Sequence, residues 1–348
     1  MSPRRRGRQT FISLLFTIAV VSLAIWAGNF ASSTVMGDSL ATTPATSLPV
    51  TPQIITSSSA SSSPDVLTGS NGYRLVLLVK SSAVSQIVLL DPETEERQVV
   101  YTDQDEQLKI KQLGNVSGTE ALVLLAEKDE DFGGSLWAIS LDGSGRATKL
   151  IDNFTSPWPP VFSPNGQKIA YVSFSSNDAG ATFALVVASR DGGKPQVVTR
   201  DSLPLTQPIF APDGQRLAYV RQSGETGSGE ILSTSLTGGQ TKTLATFADR
   251  VPYDLAWSSD GAIAFIDGPG QQGDLFEVPN GETEPRRLSN LTGQENHPVY
   301  RPDGAAVAFT QTTGGKSTLY LLDRAPGSAK TLGSATMVVG WIERGFDE

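Results

Sequence analysis

From about residue 70 onward, short apolar runs alternate with turn residues, and apolar spacing at the helical period is nearly absent. The clearest stretches read PVFSPNGQKIAYVS from Pro160, PIFAPDGQRLAYVR from Pro208, LAWSSDGAIAFID from Leu255 and PVYRPDGAAVAFTQ from Pro298. Each predicts a strand, a tight turn and a second strand. Asp-Gly or Asn-Gly at the tip suits a two-residue hairpin of primed geometry, because glycine takes a positive φ without steric cost. Pro164, Pro212 and Pro302 end the leading strand before the turn. Some 15 to 20 residues later a second hairpin follows, as in SLWAISLDGSGRATKL from Ser135, FALVVASRDGGKPQVVT from Phe183 and EILSTSLTGGQTKTLA from Glu230.

The unit repeats. Asn71-Gly72, Ser117-Gly118, Asn165-Gly166, Asp213-Gly214, Asp260-Gly261 and Asp303-Gly304 place their glycines 46, 48, 48, 47 and 43 residues apart. That is the period of a β-propeller blade, and four short strands fill each period. The expected fold is therefore all-β, a six-bladed propeller of four-stranded blades over residues 67–348. The first repeat begins almost at its turn and lacks a leading strand. The segment MVVGWIERG from Met337 has the leading-strand pattern and no blade of its own, with Trp341 four residues before Gly345 as Trp257 is before Gly261. The C-terminal strand is thus expected to complete the first blade and close the ring, which would otherwise expose unpaired edges.

The N-terminal 66 residues have a different pattern. Arg4, Arg5, Arg6 and Arg8 lie in a basic segment (residues 1–10) ahead of an uncharged apolar stretch within residues 11–31. This predicts one transmembrane signal anchor with the N-terminus cytoplasmic and the propeller extracytoplasmic, in a periplasm or at a cell surface. A signal cleaved near Ala31, giving a secreted protein, is the alternative. Residues 32–66 are rich in Ser, Thr, Ala and Pro with only Asp38 and Asp65 charged. They read as a disordered linker with a reach of roughly 30 to 35 Å.

Charge and composition narrow the partners. The net charge is -9, and without the four N-terminal arginines 23 basic residues face 36 acidic ones. An acidic propeller is poorly suited to nucleic acid and suits a basic protein segment, a cation or a neutral glycan. Zero cysteines exclude a thiol nucleophile and a lipid-modified cysteine, and a single histidine, His297, excludes a multi-histidine metal site. No nucleophile elbow is visible for a serine triad. Gly314-Gly315-Lys316-Ser317-Thr318 imitates the end of a phosphate loop, but Thr310 stands where its first glycine is required and the segment joins two strands. No cofactor is expected; Ca2+ at Asp103-Gln104-Asp105-Glu106 or Asp129-Glu130-Asp131 is the one alternative, without EF-hand spacing.

Within each blade the hairpin turns are short and uniform, whereas the other connections vary. Strand alternation sends all the variable connections to one rim of the ring, the expected binding face. Its candidate residues are Trp158, Asp201, Asp249, Arg250, Tyr253, Glu295 and His297, with Trp158 and Tyr253 as aromatic anchors. Phe162, Phe210, Trp257, Tyr300 and Trp341 recur with the blades and read as core.

The aromatic, Ser-Pro-Asp-Gly and apolar-strand pattern resembles the TolB-like six-bladed propeller family over roughly residues 70–348, most clearly in blades three, four and six. The resemblance implies a non-enzymatic adaptor working with envelope proteins. Members normally carry an additional N-terminal globular domain and are soluble, where this chain has a linker and an apolar segment. The reading is a membrane-tethered, extracytoplasmic scaffold that binds a protein or envelope component. A divalent-metal-dependent, lactonase-like hydrolase and a carbohydrate or peptide sensor are the alternatives.

Overall fold

The computed structural model describes residues 72–343 apart from 83, 104–107, 128–132, 178–179, 223–226, 240, 269–271 and 326. The basic segment, the expected anchor and the linker lie outside the described residues, as does the acidic run Asp129–Asp131. Among the described residues there is no helix long and apolar enough to cross a membrane.

Six four-stranded antiparallel sheets make up the structure. Blade 1 holds β1 (Tyr73–Lys80), β2 (Ser85–Leu90) and β3 (Arg97–Thr102); blade 2 holds β4 (Leu108–Ser117), β5 (Glu120–Glu127), β6 (Gly133–Ser140) and β7 (Ala147–Thr155). Blade 3 is β8 (Val161–Phe162), β9 (Lys168–Asn177), β10 (Gly180–Ser189) and β11 (Gln196–Asp201), and blade 4 is β12 (Leu205–Phe210), β13 (Arg216–Gln222), β14 (Gly229–Ser235) and β15 (Lys242–Phe247). Blade 5 is β16 (Tyr253–Trp257), β17 (Ile263–Asp267), β18 (Asp274–Val278) and β19 (Arg286–Arg287); blade 6 is β20 (Gln294–Tyr300), β21 (Ala306–Thr313), β22 (Lys316–Asp323) and β23 (Ala329–Ser334). The last strand, β24 (Met337–Glu343), pairs antiparallel with β1, setting Tyr73 opposite Glu343 and Leu75 opposite Trp341. The C-terminal strand does complete blade 1.

Packing explains why the ring needs that closure. On β1, Val76 and Leu78 enter a core cluster shared with blade 2, while Leu75 and Leu77 enter one shared with blade 6. Alternate side chains of one strand thus bury on opposite faces, so both faces select apolar residues and the strand reads as an uninterrupted run. Four further clusters fill the interfaces between blades 2 and 3, 3 and 4, 4 and 5, and 5 and 6. Each fully buried Leu, Ile or Phe contributes about 1.5 to 3 kcal/mol, and an open ring would forfeit a whole interface. The recurring aromatics lie in these clusters: Phe162 is fully buried, Phe210, Tyr300 and Trp341 nearly so, and Trp257 packs at the margin. Polar latches add register. Trp341 Nε1 donates to Val299 O at 3.3 Å, and Arg97 donates to Ser334 O and Leu332 O at 2.8 and 3.0 Å, tying blade 1 to blade 6.

The leading hairpins differ from the expected two-residue turn. Gly166 N–H donates to Ser163 O, Gly214 to Ala211, Gly261 to Ser258 and Gly304 to Arg301, all at 2.8 to 3.0 Å. Of each Asn-Gly or Asp-Gly pair in these four blades only the glycine has a positive φ. This is a turn over the preceding two residues with a left-handed glycine after it, which accommodates the fixed φ of Pro164, Pro212 and Pro302. Blade 2 has no such proline and turns over two residues, Gly118 and Thr119, with the positive φ on Gly118 alone. The rim connections are also shorter than expected. β9 and β10 stay paired out to Asn177 and Gly180, and β20 already begins at Gln294.

Candidate functional site

The leading strands β4, β8, β12, β16, β20 and β24 line a central channel with a cavity volume of about 270 Å³. Three of them are bulged at one equivalent place, seven residues before the turn glycine. In β12, Thr206 pairs with Val220 and Ile209 with Ala218; in β16, Tyr253 pairs with Ile266 and Ala256 with Ala264; in β20, Asn296 pairs with Thr310 and Val299 with Ala308. Two residues of the leading strand thus face one of its partner, the signature of a bulge that re-aims a side chain. The first bulged residues, Gln207, Asp254 and His297, have φ of 51°, 53° and 54°. For residues other than glycine this left-handed backbone costs about 1 to 3 kcal/mol and persists only where surrounding bonds hold it.

Those bonds run from blade to blade. Gln207 Oε1 accepts Asp254 N–H at 2.7 Å, and Asp254 Oδ2 accepts His297 N–H at 2.9 Å. His297 Nε2 stands 4.0 Å from Asp254 Oδ2, and its Nδ1 is 3.2 Å from Thr310 Oγ1. Burial pushes the His297 imidazole below the ordinary histidine range, which disfavours its charged form, against the weaker opposing pull of Asp254. Blades 4, 5 and 6 therefore give the channel a polar arc. Opposite, blades 1, 2 and 3 contribute the half-buried Met337 and Pro159 together with Asn115, whose side-chain amide bonds the Phe162 backbone.

The seven rim residues expected from the sequence separate into distinct environments. Trp158 is half-buried, lines the channel and packs on the core between blades 3 and 4. His297 lines the same channel beside Asp254. Asp201 Oδ2 pairs with Arg221 Nη1 at 3.2 Å across blades 3 and 4, and the same guanidinium holds Glu230. Asp249 and Arg250 are exposed, and Arg250 Nε reaches Asp267 Oδ2 at 2.9 Å. Tyr253 and Glu295 lie in strands rather than solvated loops, because β16 and β20 extend further toward the rim than the turn residues suggest. Tyr253 is buried between blades 5 and 6. Glu295 is wholly buried, accepting Leu275 N–H at 2.5 Å and the Ser289 hydroxyl; burial raises its pKa against the pull of those bonds. Of the first acidic run, Asp103 is described, and its buried Oδ2 accepts Ile110 N–H at 3.3 Å. Among the described residues, no group of three or more His, Asp or Glu side chains is placed to hold a metal ion.

Two features escaped the sequence reading. Asp254 occupies the position of Gln207 and His297 in blade 5, and counting seven residues back from Gly261 finds it. Glu277 is fully buried on the opposite, turn-bearing side, where Arg286 Nη2 at 2.7 Å, Tyr300 OH at 2.8 Å and Arg324 Nη2 converge on its carboxylate. Arg324 also bonds Asp260 Oδ2 and Gly304 O, both at 2.7 Å, so this cluster staples blade 5 to blade 6. No periodic signal marks it, because Glu277, Arg286 and Tyr300 come from three different strands and Arg324 from a turn.

Six blades of four strands, closed by a C-terminal strand around a channel, define a six-bladed β-propeller. Residues 175–339 match the TolB beta propeller domain. TolB from Acinetobacter baumannii superposes with a TM-score of 0.59 at 17% identity, covering 77% of this chain and 66% of that one. A structure described as a TolB from Agrobacterium tumefaciens gives 0.56 at 19% identity, covering 76% of this chain and 92% of that one. A tricorn protease homolog of Streptomyces coelicolor is 45% identical over 62 residues, 18% of this chain; the chain spans 5% of that relative's length. The protein is a six-bladed β-propeller whose fold is similar to these TolB structures.

Proposed function

We propose that this propeller is a non-catalytic binding module, held at the cell envelope by its N-terminal segment, that takes a protein segment on the rim around the channel mouth. One observation carries the reading: the channel holds a cavity of about 270 Å³ with a half-buried tryptophan, Trp158, in its lining. A cavity of this size has room for a side chain or a short loop and not for a folded domain, and a large aromatic beside it is a typical binding anchor. The likeness to TolB structures supports the same reading through the fold. The buried carboxylates Glu277 and Glu295 and the buried Ser289 are all engaged in bonds that join strands or blades, as expected of structural rather than reactive groups.

Crosslinking in intact cells followed by mass spectrometry tests this. The expected result is a reproducible envelope protein captured by the wild type and lost with Trp158→Ala, while the variant keeps its melting temperature within a few degrees. Repeated recovery of no protein, with a soluble metabolite bound stoichiometrically and turned over, would refute it. Membrane tethering is checked by alkaline carbonate extraction, in which the full chain is expected to stay in the pellet.

A further inference from the structure

The channel mouth is unequal in charge as well as in polarity. Among the described residues that line it, Asp254 is the single carboxylate, with the His297 imidazole beside it, and its side chain is 18% exposed. Oδ2 accepts the His297 amide, which leaves most of the carboxylate's acceptor sites for other donors. Among the described residues no lysine or arginine pairs with it. The bulge at Asp254 is held by the bond from Gln207 on one side and makes the bond to His297 on the other, so the carboxylate is fixed before any ligand arrives. Such preorganisation reduces the ordering that binding would otherwise require.

The rest of the lining states what must accompany a cation. Met337, Ile209, Val299 and Trp158, all half-buried, supply apolar surface around the channel. An inorganic cation gains nothing from such a surface. An alkyl chain does, at about 0.8 kcal/mol per buried methylene, and a tryptophan face attracts an organic cation further. We infer that the channel mouth receives an ammonium or guanidinium group on an alkyl stem, the side chain of a lysine or arginine, with Asp254 as its counter-ion and the half-buried apolar lining around its stem. The inference rests on the rim being the binding face and adds the chemistry of the inserted group.

Isothermal titration of the full chain in detergent with four probes decides it: N-acetyl-lysine methylamide, N-acetyl-arginine methylamide, cadaverine and N-acetyl-norleucine methylamide, which keeps the stem and lacks the charge. Binding of a lysine or arginine amide at least tenfold tighter than the norleucine amide, and weakened at least tenfold by Asp254→Asn, is the expected result. Asparagine keeps an oxygen for the His297 amide, and an unchanged melting temperature confirms that the bulge survives. Cadaverine binding with the same Asp254 dependence also supports the cation site and identifies a free amine as its source. Equal binding of the norleucine amide, equal affinity in Asp254→Asn, or no binding of any cation overturns the inference. In that last case a partner still captured in cells would leave the protein-binding reading standing, so the two failures are distinguishable.

Discussion

Replacing Gly340 with alanine sets a new methyl group 2.8 Å from Val116 Cβ and 2.9 Å from Val116 Cγ2, where the C-terminal strand passes the leading strand of blade 2. Gly340 has no positive φ, so its backbone accepts alanine without strain. In an unhindered strand the change would stabilise by about 0.4 to 1 kcal/mol through the unfolded chain. Forcing a methyl into a filled space costs about 1 to 3 kcal/mol, so closure of the ring reverses the sign and the net effect is a loss of about 1 to 2 kcal/mol. Val116→Gly removes the obstructing atoms, itself costing about 1 to 2 kcal/mol in packing and chain entropy. The double variant should then be more stable than the sum of the singles by about 1 to 3 kcal/mol, read from urea unfolding of the four proteins. These residues belong to blades 1 and 2 yet lie 224 positions apart in the chain. A stabilising Gly340→Ala, or additivity within about 0.5 kcal/mol, would falsify the strand clasp.

Three further outcomes follow from the buried carboxylates. Arg324→Ala withdraws one of the two guanidinium groups on the fully buried Glu277 and should cost roughly 3 kcal/mol, the low end for breaking a buried pair because Arg286 remains, with Tyr300→Phe costing about 1.5 to 3 kcal/mol; thermal unfolding measures both. Glu295 has its pKa raised by burial, so the folded protein favours its protonated form. That contribution is fully present below the unfolded-state glutamate pKa and is lost as pH rises through the raised folded value. Glu295→Gln, which mimics the protonated acid, should therefore flatten the fall in stability above the ordinary glutamate range, measured as urea midpoints from pH 4 to pH 8. An unchanged pH profile would remove Glu295 as the source.

The repeat in the sequence was enough to find six blades, their four strands and the strand that closes them, because each depends on local chemistry: a glycine at a turn, an aromatic four residues earlier, alternate residues buried on two faces. Turn type was misread, since Asn165-Gly166 and Asp213-Gly214 look like a primed pair until the proline before each is seen to occupy the turn itself. The rim was harder. Glu295 and Tyr253 look like solvated loop residues because they are polar or amphipathic and sit near glycines and prolines, yet strand pairing carries them inside. Asp254 was legible only by aligning positions across blades, and Glu277 not at all, because a buried carboxylate is defined by partners that are distant in the chain.

Photocrosslinking from single positions tests the binding face most directly. With benzoylphenylalanine at Trp158 on the channel mouth, and separately at Asp213 on the opposite turn-bearing side, intact cells should yield a discrete protein adduct from the first and none from the second. An adduct that forms from position 213 and not from 158 would contradict the assignment of the rim as the surface that recognises the partner.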